Sequence, residues 1–101
     1  MELMILRAHR WWQRAGGLLL HAPLQAQEGL LIQPCNSVHT CFMRYAIDVV
    51  FLDRQARVLS IVSSLRPWRM AVNWRAHQVL ELRAGVAAQQ DLKPGVLIDL
   101  E

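Results

Sequence analysis

Residues 35–53, Cys-Asn-Ser-Val-His-Thr-Cys-Phe-Met-Arg-Tyr-Ala-Ile-Asp-Val-Val-Phe-Leu-Asp, constrain the fold more than any other window. They set both cysteines, one of the four histidines, an arginine and an aspartate among strand-forming residues. β-Branched and aromatic side chains suit a pleated, half-buried surface. The alternation from 35 to 43 predicts a strand with Cys35, Ser37, His39, Cys41 and Met43 on one side and Val38, Thr40, Phe42 and Arg44 on the other. After Tyr45-Ala46, residues 47–52 predict a second, strongly apolar strand, so the polar groups of 38–48 are expected on a hairpin.

The rest of the chain reads in the same alphabet. Residues 3–8 predict a short strand, and Trp11, Ala15, Leu18 and Leu19 recur at helical spacing over 10–20. The Gly16-Gly17 pair weakens that helix by about 1 kcal/mol per glycine against alanine. Its paired tryptophans are read as core anchors rather than a stacking platform, because aromatics bury large areas. Residues 21–28 form a polar loop around Pro23, and 29–32 a short buried strand closed by Pro34. A turn at 53–56, with Asp53 capping its own backbone, returns the chain into a strand over 57–62. Residues 63–76 are expected to be irregular, 78–82 to be a strand and 86–91 one helical turn or a loop. Lys93-Pro94-Gly95 turns into a last strand over 96–100. The expected fold is mainly β (β-rich α+β): one domain over 1–101, a small antiparallel barrel or sandwich of six to seven strands with one short N-terminal helix.

Composition bounds the function. With 53% apolar and 19% charged residues the chain builds a core rather than remaining disordered. The net charge is +3 and ten of the eleven basic residues are arginine, but they are scattered, with no run of four or more, so no nucleic acid is expected as partner. No stretch approaches the roughly 18 apolar residues of a membrane helix, and the first ten residues do not resemble a secretion signal. The expected location is cytoplasmic, with reduced thiols.

Four groupings of reactive residues stand out, each with a structural reading beside the functional one. Cys35, His39 and Cys41 are ligand types that zinc prefers. On one strand face, however, alternate residues lie about 7 Å apart and the two cysteines about 20 Å apart. Only a bend at Asn36-Ser37 would gather them, so neither metal nor cofactor is expected. A nucleophilic Cys41 would need His39 or Arg44 beside it and Asp48 to orient the base; the alternative is a packed thiol. His39, Thr40, Arg44 and Asp48, with Glu81, form a polar cluster. It is read either as an Arg44–Asp48 salt bridge fixing the hairpin or as a site for a carboxylate, phosphate or other polar ligand. Arg66-Pro67-Trp68-Arg69 suits planar or anionic groups, and equally a loop folding its tryptophan over the end of the barrel.

The run Gly29-Leu30-Leu31-Ile32-x-Pro34-Cys35-x-Ser37-Val38-His39-Thr40-x-Phe42-Met43-Arg44-x-x-Ile47-Asp48-Val49-Val50-Phe51-Leu52-Asp53 resembles the domain-of-unknown-function family 192. The likeness continues into Pro67-Trp68-Arg69 and Val79-Leu80-Glu81-Leu82-x-Ala84-Gly85, and upstream into Gly17-Leu18-Leu19. It implies a small, predominantly β protein with a barrel- or sandwich-like core and no assigned activity. The family's recurrent polar positions fall on His39, Thr40, Arg44, Asp48 and Glu81. The chain departs from the pattern at Gln55-Ala56, where a glycine turn is usual, and at Gln90-Asp91. The leading functional expectation is a non-enzymatic module binding a small polar or anionic ligand, or a protein partner, through His39, Thr40, Arg44, Asp48, Trp68, Arg69 and Glu81. The alternatives are an enzyme using Cys41 and His39, and an interaction subunit docking through its tryptophans.

Overall fold

Ile47, Val49, Val50, Phe51 and Leu52 are almost wholly buried, and Asp48 with them. A strand apolar on both faces must lie inside a sheet with both faces covered, and that is its place in the computed structural model, which describes residues 3–8, 24–41 and 43–100. Seven strands are present among them: β1 (Met4–Ala8), β2 (Glu28–Ile32), β3 (Ser37–His39), β4 (Ile47–Leu52), β5 (Val58–Leu65), β6 (Met70–Val72) and β7 (Gln78–Arg83). They are followed by one helical turn, α1 (Val86–Gln89). Five strands form a sheet in the order β1-β2-β7-β4-β5, and β3 and β6 form a separate two-stranded ribbon. The N-terminal helix expected over 10–20 lies outside the described residues.

Alternation along β4 and β7 sorts the core into two layers. On one face Ile47, Val49, Phe51, Val79, Leu30 and Ile32 pack with Val38 and Ala71 from the ribbon, and with Leu24 and Met43. On the other, Val50, Leu52, Leu80, Leu82, Leu31 and Val58 pack with Val86 and Ala87 of α1, and Val96, Ile98 and Leu100 of the C-terminal tail join them.

The β-rich class and the central strands agree with expectation, and several details are corrected. The sheet is mixed rather than antiparallel, because β1 runs parallel to β2, whereas β2–β7, β7–β4 and β4–β5 are antiparallel. The strand expected over 35–43 shrinks to three residues, and the hairpin expected over 38–48 does not form: β3 pairs with β6, and β4 with β5 and β7. The reason is a turn at Thr40, whose carbonyl accepts the Met43 N–H. That turn sends Met43 into the core beside Val38 while Ser37 and His39 face out, so these residues do not line one side together. The segment expected to be irregular over 63–76 contains the end of β5 and all of β6.

Residues 96–100 are not a strand. They make an isolated bridge, Arg57 to Leu97, and the alternation that suggested a strand instead turns Val96, Ile98 and Leu100 onto the sheet face. The 53–56 turn forms as expected: Asp53 Oδ1 accepts the N–H groups of Gln55 and Arg57, each at 2.9 Å. Ala56 takes the position a glycine would favour, with φ 67°.

Candidate functional site

Thr40 is the junction on which the surface depends. It is fully buried, and its main chain pairs with the 66–69 turn: its N–H donates to Arg69 O at 2.9 Å and its carbonyl accepts the Trp68 N–H at 3.1 Å. Its hydroxyl donates to the Arg66 carbonyl and accepts the Arg69 N–H at 2.9 Å. A β-branched residue with a hydroxyl satisfies the strand and the turn at once. Thr40 therefore positions residues and offers no group to solvent. The clamp brings the end of β3, with His39, against the turn that carries Trp68 and Arg69. Trp68 holds φ 63° there, a conformation that costs a non-glycine residue on the order of 1–3 kcal/mol and persists where the surroundings over-determine it.

Outward from this junction lies the free face of the ribbon. Ser37 stands opposite Val72, and His39 opposite Met70. Met70 is 73% exposed and Trp74 80%; Val72 and Trp68 are also exposed, as are Arg66, Arg69 and Arg75. Asn73 ties the next turn down to β5 through Ser60 Oγ at 2.9 Å. Met70, Val72 and Trp74 were not among the residues expected at the site. The sequence offered only the short apolar run Met70-Ala71-Val72 with Trp74 two residues on, too brief to show a period, inside a stretch assigned to a loop.

The remaining polar residues do not join His39. Arg44 is exposed after the Thr40 turn and makes no ion pair with Asp48 among the described residues. Asp48 lies on the opposite side of the sheet, 1% exposed, and is held by backbone. Oδ1 accepts the Ser64 N–H at 2.8 Å, and Oδ2 accepts those of Gly85 and Ala87 at 3.0 Å each. Ser64 belongs to an irregularity in the β4–β5 register, between the Ile47–Leu65 and Val49–Val62 pairs. Gly85 is the N-cap of α1 and has no side chain to cap it. Asp48 thus caps α1 from a neighbouring strand and fixes the β5 irregularity, through charge-assisted bonds that offset its burial.

Glu81 pairs across strands with Val49 and Leu30, so it enters the ribbon-side core. It is 4% exposed, and no hydrogen bond reaches it among the described residues. Burial pushes its carboxyl up to about 7. Burial first, and then the Glu81 carboxylate, also raise the Tyr45 phenol. Tyr45 lines an adjacent cleft of about 550 Å³ with Leu24, Gln25, Ala46, Arg83 and Ala84.

Neither Cys35 nor Cys41 is in a disulfide. Cys35 donates to the Ser37 carbonyl at 3.0 Å, and it is the backbone N–H of Cys41 that meets His39 Nδ1, at 3.3 Å. No three His, Cys, Asp or Glu side chains gather around a point that could hold a metal ion among the described residues.

The uncharacterised family DUF192, described as an uncharacterised ACR, has a model that matches residues 2–100. The chain belongs to the DUF192 family. A UPF0127 protein of Pyrococcus horikoshii is 35% identical over 86 residues, 81% of this chain and 72% of that protein. One from Pyrococcus abyssi is 36% identical over 74 residues, 68% of this chain and 61% of its own length. Among solved structures, a protein of unknown function from Novosphingobium aromaticivorans superposes with a TM-score of 0.81 at 23% identity, covering 92% of this chain and 71% of that one. One from Sinorhizobium meliloti, provisionally described as a transcription regulator, gives 0.83 at 20%, covering 92% and 78%. These structural likenesses show that the DUF192 fold is shared. No helix among the described residues is long and apolar enough to cross a membrane.

Proposed function

We propose that this DUF192 protein is a binding module without catalytic chemistry of its own. Its recognition surface is the end of the β3–β6 ribbon, where His39, Trp68 and Arg69 meet a polar or anionic ligand and Arg44 adds charge nearby. The Thr40 clamp carries this reading: a fully buried hydroxyl and both main-chain groups of one residue are spent on holding a tryptophan–arginine turn beside an exposed histidine. Within the proposal Thr40 and Asp48 are positioning residues, and Glu81 belongs to the core behind the site. The scaffold is read as a two-layer sandwich, ribbon over sheet, because the five-strand order ends in β1 and β5 rather than closing.

The test is an NMR titration of the full chain with inorganic phosphate and with acetate. Saturable shifts confined to His39, Trp68, Arg69 and their neighbours are expected. Arg69→Ala should remove them while leaving the rest of the spectrum in place. Shifts spread evenly over all arginines, or none at all, would remove the reading.

A further inference from the structure

The described residues expose seven large hydrophobic side chains, and four of them, Trp68, Met70, Val72 and Trp74, fall within seven consecutive positions. Scattered apolar residues on a surface need no explanation, whereas a contiguous set marks an interaction site. Their geometry is ordered. Met70 and Val72 stand on one face of β6, about 7 Å apart as alternate residues of a strand are, opposite His39 and Ser37. Trp68 and Trp74 flank the strand in the turns before and after it. Tryptophan, methionine and arginine are the side chains enriched where proteins meet proteins.

Charge chooses the partner. From residue 54 to residue 80 the chain carries five arginines and no Asp or Glu, and from 29 to 47 it carries Arg44 and again no acid. Those two windows contain both ribbon strands and every turn beside them. The acidic residues of the described chain, Glu28, Asp48, Asp53, Glu81, Asp91 and Asp99, all lie outside the two windows. A ribbon with apolar side chains on its outer face, the exposed Arg66, Arg69 and Arg75 in the turns flanking β6, and no acid within either window complements a segment that is acidic and apolar together. Met70 and Val72 at the centre weigh against nucleic acid, which offers phosphate and stacking faces but little for a thioether and a branched aliphatic to fill.

We propose that the outer face of the β3–β6 ribbon docks an extended, acidic segment of a partner protein whose apolar residues alternate with Asp or Glu. This rests on the reading of the ribbon end as the recognition surface and names its partner class. The apolar side chains of the segment lie along Met70 and Val72 between the two tryptophans. Its carboxylates meet Arg66, Arg69 and Arg75 at the rim, where they speed encounter more than they add affinity.

Fluorescence anisotropy on the full chain tests it, at about 0.15 M salt, an ionic strength at which exposed charges separated by more than ~8 Å are largely screened. The probes are fluorescein-labelled peptides and oligonucleotides: a 12-residue peptide alternating Glu with Leu or Val, a 12-residue all-Glu peptide, single-stranded oligo-dT and a short DNA duplex. The alternating peptide is expected to bind at least tenfold more tightly than the other three. Replacing Met70 and Val72 together by Asp should weaken it at least tenfold with the far-ultraviolet circular dichroism unchanged. Arg75→Ala should slow association more than it speeds dissociation. Equal binding of the all-Glu peptide would overturn the apolar contact, and tighter binding of either nucleic acid would overturn the partner class. If no peptide binds while phosphate still shifts His39 and Arg69, the partner is wrong and the recognition surface stands. If neither binds, both fall.

Discussion

Asp48 and Glu81 sit one register step apart across β4 and β7, yet they enter opposite faces of the sheet and are held in opposite ways. Asp48 pairs with Leu82 and Glu81 with Val49. Both are almost completely buried. Three backbone amides converge on Asp48, whereas among the described residues no hydrogen bond reaches Glu81, and burial pushes its carboxyl up to about 7. The pair teaches that burial by itself does not decide what a carboxyl group does. The polar groups brought to it decide, and main-chain amides serve as well as an arginine.

The largest way to break this contrast is Asp48→Ala. It takes the acceptor from three amide donors at once, one buried and two part-buried, and should lower unfolding stability by about 3–5 kcal/mol, measured by urea denaturation near neutral pH. Asp48→Asn keeps the shape but replaces an acceptor by a donor, so it should recover only part of that loss.

Glu81 gives the opposite experiment. Its folded-state value lies above its unfolded value of about 4.5, so between those two the native state holds a proton that the unfolded chain has released. Stability is therefore full below about pH 4.5, falls as pH rises to about 7 and is flat beyond. The fall is at most about 3 kcal/mol, at 1.36 kcal/mol per pH unit. Glu81→Gln should remove that slope, stabilising the protein at pH 8 and leaving it nearly unchanged at pH 4. A slope that survives the substitution would assign it to other groups.

Thr40→Val sharpens the comparison at the ribbon, where the buried group is neutral. Losing the hydroxyl leaves Arg66 O and Arg69 N short of a partner and should cost about 1–3 kcal/mol. Amide exchange should quicken through 66–69 before it quickens in β4. The smallest effect is expected at Ala56, whose φ is 67°. Glycine there relieves the left-handed strain and should raise stability by about 0.5 kcal/mol, a shift in the urea midpoint with unchanged slope.

Much of the sheet was legible because its strands announce themselves locally. Residues 29–32, 47–52 and 78–82 are short apolar runs bounded by proline, aspartate or glycine, and the Asp53 turn carries its own capping side chain. What was not legible has no local signature. β3 and β6 are three residues each, too short for a period, and their pairing joins positions more than thirty residues apart. The polar cluster failed for a related reason. Arg44 was the obvious charge near Asp48 in sequence, but the partners that Asp48 took are main-chain groups at 64, 85 and 87, which any residue type supplies. Glu81 was expected to join that cluster, and only the register between β4 and β7 reveals that it points away from Asp48.

The strand order has a consequence for how the protein is made. β2 lies between β1 and β7, and its antiparallel partner at Leu80 follows Leu31 by roughly fifty residues. At about 5–20 residues per second of synthesis, Leu30, Leu31 and Ile32 wait roughly 2.5–10 s with, among the described residues, only the parallel β1 beside them, and two strands alone are marginal in water. The nascent chain thus carries an unsatisfied apolar edge for seconds, and β7 is the piece whose arrival closes it.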